Sequence, residues 1–168
     1  MRVFRVCRKI FARSPLDGRG GLFVSGRWHT ARRLVTYTSE SLALASLEVL
    51  VHCDVDLLPA DLVAIEILIH SSVKPTQLSV ASLPRTWRRY PAPASLQRLG
   101  NAWLDRGAAC VLRVPSSLIP TESNFLINPR HPDLRKLRVL RKFDFQFDPR
   151  LVSRRNPVGR ERTSSRRE

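Results

Sequence analysis

The stretch Ser41-Leu42-Ala43-Leu44-Ala45-Ser46-Leu47-Glu48-Val49-Leu50-Val51-His52-Cys53 decides the fold. Nearly every side chain in it is small or apolar, and Glu48 carries its only formal charge. Ser41, Ala45, Glu48 and His52 fall three and four residues apart, on one narrow helical stripe, while leucines and valines cover the remaining surface. The pattern predicts a mostly buried helix running to about Cys53, capped by Thr38 or Ser39, with Glu40 near its positive end. Glu48 is the sharpest anomaly in the chain. Its stripe either faces water or opens into a cleft, where desolvation would make the carboxylate a strong partner for a developing cation.

Outward from this helix, Leu34–Tyr37 reads as a short strand, and Val3-Phe4-Arg5-Val6-Cys7 alternates like a half-buried one. Gly18, Gly20, Gly21 and Gly26 mark a loop that matches neither phosphate-binding glycine pattern. Leu62–Ile69 has β-branched residues on one side and predicts a strand. Residues 84–93 form a basic, irregular bridge. Ser95 can cap a helix with Leu96, Leu99, Trp103 and Leu104 on one face, ended by Gly107. Ala108–Val114 is a further strand, residues 124–129 hold a short extended piece, and Leu137–Phe147 offers one or two closing strands. Strands separated by helices and long loops, without a β-α-β rhythm, predict an α+β domain.

The 168 residues fit one domain, and their 43% hydrophobic content suffices for one core. The formal charge is +15, carried by 25 arginines and only four lysines. That excess reads equally as a generically basic surface or as a nucleic-acid footprint. Cys7, Cys53 and Cys110 are odd in number and far apart, so neither a disulfide framework nor a metal site is indicated, and a reducing cytoplasm fits. Arg5, Arg8 and Lys9 interrupt any apolar signal core near the start. The longest apolar run falls short of the ~20 residues that span a bilayer, so no membrane association is expected.

Other candidate residues carry two readings each. Arg27 is one arginine among many or a bidentate anion clamp. Tyr37, eleven residues before Glu48, is a core tyrosine or a stacking platform. Ser116 follows a predicted strand end, where loops carry binding groups, but no Gly-x-Ser-x-Gly surrounds it. The four histidines are unpaired in sequence and read as surface or packing residues.

Eight runs then stand in order: Gly26-Arg27-Trp28-His29, Tyr37-Thr38-Ser39, Ser41 through Glu48, Leu83-Pro84 with Trp87, Gly100-Asn101-Ala102-Trp103-Leu104, Val114-Pro115-Ser116, Asn124 through Pro132, and Phe147-Asp148-Pro149-Arg150-Leu151. Together, over about residues 2–151, they resemble the RES-domain family, named for an arginine, a glutamate and a serine that fall on Arg27, Glu48 and Ser116. The resemblance implies a fold like that of ADP-ribosyltransferases and the toxin of a bacterial type II toxin–antitoxin pair. It implies NAD as substrate, with the nicotinamide–ribose bond cleaved by hydrolysis or phosphorolysis, and no metal. Alternatives are a toxin that ADP-ribosylates a protein, and a basic nucleic-acid-binding module.

In this reading Arg27 pairs with the NAD pyrophosphate, Tyr37 stacks near the nicotinamide, Glu48 stabilises the cationic ribose, and Ser116 orients the ribose or nicotinamide. Ser39 and Asn124 complete the NAD-binding set. The implied partner is an Xre-like helix-turn-helix antitoxin that blocks the cleft, with DNA reached only through that complex. Residues 1–151 are expected as the catalytic domain and 152–168 as a basic, disordered tail. One departure stands out: His29 occupies a position where the family commonly has asparagine.

Overall fold

The computed structural model describes residues 1–54 and 57–152. Strand β1 (Arg2–Arg8) is followed by two single-turn helices, α1 (Lys9–Ala12) and α2 (Gly20–Phe23), then β2 (Thr36–Ser39) and helix α3 (Leu42–Leu50). Next come β3 (Leu62–Ile69), the short β4 (Thr76–Gln77), helix α4 (Ala94–Arg106), β5 (Val111–Pro115), β6 (Ser123–Ile127), β7 (Leu137–Asp144) and a last turn of helix, α5 (Pro149–Val152). The seven strands form one sheet in the order β4-β5-β6-β2-β1-β3-β7, antiparallel throughout except at the β4–β5 edge. This is the α+β class the sequence predicts.

Both faces of the sheet are covered, and the strands alternate accordingly. Val63, Ile65, Ile67 and Ile69 of β3 join Val3, Val111, Phe125 and Ile127 in a core on one face. Each such buried aliphatic side chain contributes about 1.5–3 kcal/mol as an upper estimate. On the other face Trp28, Leu96, Trp103, Leu112, Val114 and Leu126 pack beneath α4. Val6, Ala45, Leu62 and Ala64 pack beneath α3. The expected half-buried β1 keeps that character, with Val3 and Val6 buried on opposite faces and its other residues partly or fully exposed.

Several boundaries differ from the sequence reading. The cap of α3 is Ser41, whose hydroxyl accepts the Leu44 N–H at 3.0 Å, while Thr38 and Ser39 belong to β2. Three nearby hydroxyl residues, Thr38, Ser39 and Ser41, could each cap a helix, and pairing of Thr36–Ser39 with β6 withdraws the first two. The helix ends at Leu50, and only Leu44 and Ala45 of it are fully buried, because it lies on the face of β1 and β2 with its other side toward solvent. Helix α4 begins after Pro93 without a side-chain cap, so Ser95 lies within its first turn. Its packing stripe is Leu96, Gly100 and Trp103, with Leu99 turned outward. Gly107 ends it in the left-handed conformation expected of a helix-terminating glycine.

Gly100 brings α4 into close contact with the loop after α2. A Cβ there would stand 1.8 Å from the Trp28 carbonyl oxygen, so only glycine permits the approach. The flanking residues hold the same loop: Gln97 Nε2 donates to the Gly26 carbonyl at 3.1 Å, and Asn101 exchanges hydrogen bonds with Thr30 through both its amide atoms. The helix is thus a rigid backing for Arg27.

Candidate active site

Antiparallel pairing brings the end of β2, the start of β6 and the end of β5 together, forming an edge of strand ends at one end of the sheet. Ser39 pairs with Asn124, and Val114 with the same Asn124. Ser116 lies just beyond β5. Ser41 anchors α3 against this edge through Glu122 at 2.9 Å, so the stripe that continues to Glu48 faces the strand ends and not water. His52 lies beyond the helix and is exposed.

Glu48 is held there by neutral donors. The Ser39 hydroxyl donates to Asn124 Oδ1 at 2.7 Å, which fixes the amide so that its Nδ2 donates to Glu48 Oε1 at 2.6 Å. The Ser116 hydroxyl donates to the same oxygen at 2.9 Å while accepting the backbone N–H groups of Leu118 and Ile119. Ser39, Ser116 and Asn124 are all buried, whereas Glu48 is half-buried. No cation of the described residues forms an ion pair with Glu48, and its Oε2 has no protein donor among them. The carboxylate is oriented without being neutralised.

Arg27 lies within electrostatic reach. Partial burial lowers the guanidinium's hold on its proton, and the charge of Glu48, followed by Tyr37, works against that loss. Its Nη1 donates to the carbonyls of Trp87 at 2.7 Å and Arg89 at 3.2 Å. Arg88 in turn donates to the Ser117 carbonyl at 3.0 Å, so the basic bridge of residues 84–93 is a strap joining the Arg27 loop to the Ser116 loop.

Tyr37 stands between them. Its hydroxyl accepts the Trp28 N–H at 3.3 Å and lies 2.8 Å from His29 Nδ1. Burial pushes the phenol well above its ordinary range and Glu48 adds to this, against the Trp28 N–H and the Arg27 charge. The hydroxyl is therefore a neutral support for the loop, and the ring packs against the cluster around Trp28.

All five residues besides Ser39 that the sequence singled out sit around this edge, and Ser39 supports them from behind. The sequence reading missed His29, Gln97, Glu122 and the strap carbonyls. Backbone acceptors leave no signature in side-chain identity, and Gln97 and Glu122 act across separations that spacing does not reveal. A groove of about 340 Å³ lies beside Arg32, Arg33 and Arg130, and one of about 220 Å³ adjoins the end of β5 and Glu122; neither is lined by Glu48. Among the described residues no group of three or more His, Cys, Asp and Glu side chains could share a metal ion, and no helix is long and apolar enough to cross a membrane.

The sequence profile of the RES domain matches residues 2–148. A protein of Pseudomonas putida called Toxin Res is 42% identical over 144 residues, covering 85% of this chain and 97% of its own. Toxin Res of Yersinia enterocolitica is 34% identical, covering 90% of this chain and 99% of its own. The Prs ADP-ribosylating toxin of a Sphingobium species is 30% identical, covering 86% of this chain and 91% of its own. In three dimensions the chain resembles a chain of the MbcT-MbcA toxin–antitoxin complex of M. tuberculosis, with a TM-score of 0.68, 16% identity and coverage of 90% of this chain and 86% of that one.

Proposed function

The chain belongs to the RES domain family, and from that premise we propose that it is the toxin of a toxin–antitoxin pair, an enzyme that consumes NAD by breaking its nicotinamide–ribose bond. The observation that carries the reading is Glu48, held by Ser116 and Asn124 with no cation paired to it and with Arg27 in electrostatic reach. An unneutralised carboxylate in a partly desolvated recess is suited to a group that becomes positive only as the reaction proceeds.

In this mechanism the C1′–N bond breaks and nicotinamide leaves with the bonding electrons, so positive charge develops on the ribose ring. Glu48 stabilises that charge, and Ser116 and Asn124 hold the carboxylate in place. Arg27 offers its remaining guanidinium donors to the pyrophosphate, and the Tyr37 ring provides a face for the nicotinamide. Water, losing a proton to solvent, or a phosphate oxygen then forms the new bond at C1′, completing hydrolysis or phosphorolysis. A protein side chain as acceptor is the second reading, favoured by the likeness to the Sphingobium ADP-ribosylating toxin. Family membership favours either over a nucleic-acid-binding module.

The partner in this reading is a helix-turn-helix antitoxin of Xre type covering the cleft, with DNA contacted through that complex, in the cytoplasm. Residues 1–151 form the catalytic unit. Of the proposed tail 152–168, Val152 closes α5 and the rest lies outside the described residues.

The test is intracellular NAD against time after induction of the chain without an antitoxin. NAD falls and growth stops for the parent, and Glu48→Gln, which keeps size and removes charge, restores both. A Glu48→Gln chain that kills as well as the parent overturns the mechanism. Mass spectrometry of cell proteins after brief induction separates NAD loss alone from transfer to a protein.

A further inference from the structure

We propose that His29 is a positioning residue for Arg27: a neutral imidazole, protonated on Nε2, whose Nδ1 clasps the turn that carries the guanidinium. The proposal rests on the reading of Arg27 and Glu48 given above. Gly26 N–H donates both to the His29 carbonyl at 3.0 Å and to His29 Nδ1 at 3.2 Å, closing a four-residue turn around Arg27 and Trp28. A donor aimed at Nδ1 requires an unprotonated nitrogen there, which assigns the proton of the neutral ring to Nε2.

The proton so assigned sits in a closed pocket. His29 is 3% exposed, and its Nε2 is buried without a hydrogen-bond partner, so the tautomer rests on what Nδ1 accepts. A Cβ on Gly21 would stand 2.9 Å from Nε2. With Nδ1 accepting, its single lone pair is shared by the Gly26 N–H and the Tyr37 hydroxyl, and that hydroxyl accepts from Trp28 N–H. The imidazole thus connects the turn to β2. Gly26 leaves no slack, because a Cβ there would lie 2.7 Å from the Tyr37 hydroxyl and 2.8 Å from Nδ1.

A second proton on Nδ1 turns an acceptor into a donor. Gly26 N–H loses its side-chain partner, the Tyr37 hydroxyl must turn, and the Arg27 turn opens. The charged and titratable groups acting on the ring are Arg33 on its own segment and Tyr37 on β2. From α2 only backbone reaches it, and α4 contributes Gln97 and the Asp105 that binds Arg33. Burial holds the imidazole below its ordinary pKa and Arg33 adds to this, against the carbonyls of Val24 and Gly21.

The sign follows. The clasp is intact above the folded pKa, and kcat/KM for NAD falls below it through KM, levelling off about tenfold lower. The experiment compares the parent with His29→Asn and His29→Gln across that acid range. The asparagine Oδ1 can accept the Gly26 N–H but does not titrate. His29→Asn is expected within about threefold of the parent at neutral pH, with the acid decline lost. His29→Gln, whose amide is displaced by one carbon, loses on the order of tenfold at every pH.

An acid decline unchanged in His29→Asn, or equal activity of the two variants, overturns the proposal. Nitrogen NMR of histidine-labelled full chain reads the tautomer without NAD: a proton on Nε2 with Nδ1 bare is expected, and a proton on Nδ1 overturns it. Failure of the parent to consume NAD at any pH would instead refute the functional reading, leaving the NMR result to decide His29.

Discussion

Two glutamates interrupt apolar elements of this chain, and the protein treats them in opposite ways. Glu66, on β3, is 3% exposed and meets Arg141 at 2.5 Å and Arg2 at 3.3 Å. Glu48, on α3, is half-buried and receives only a hydroxyl and an amide. In one case guanidinium groups cancel the charge at the edge of a sheet. In the other, neutral hydrogen bonds fix the carboxylate's direction and leave its charge available. A neutralised carboxylate is a structural fastener, and an oriented but uncancelled one is a poised electrostatic group.

That contrast yields graded expectations. Removing Arg27, a cation on which the Glu48 charge acts, has the largest effect of the variants around that carboxylate: Arg27→Ala lowers kcat/KM for NAD about 100-fold, read by steady-state kinetics. Glu66→Gln loosens the fastener and is expected to lower unfolding free energy by about 1.5–3 kcal/mol in a denaturant titration, with kcat unchanged. Asn124→Ala removes one of the two donors that aim Glu48 and lowers kcat about tenfold. Arg2→Ala breaks an exposed arm of the Glu66 cluster and shifts stability by about 0–1 kcal/mol, diminishing with salt. A large kcat loss in Glu66→Gln, or a large stability loss with intact kcat in Asn124→Ala, would erase the distinction.

Local features were legible from the chain. The β-branched period of Leu62–Ile69 gives β3, Gly107 gives the end of α4, and a lone carboxylate on an apolar helix marks Glu48. What sequence spacing does not reveal is which distant groups a fold brings together. Ser39 and Asn124 are 85 residues apart in sequence and bond at 2.7 Å. Gly100 looks like an ordinary interruption of a helix until the Trp28 carbonyl is placed against it. His29, read as a surface or packing histidine, is buried and bonded because its partners are a backbone N–H and a tyrosine on the next strand. The cap moved from Thr38 or Ser39 to Ser41 for the same reason, since strand pairing overrides local preference.

The most direct measurement is nicotinamide released from saturating NAD by purified protein, with a thermal melt of each sample, for the parent and Glu48→Gln. The account predicts that the variant melts with the parent yet releases nicotinamide at least about 100-fold more slowly. Equal release by the two proteins would contradict it.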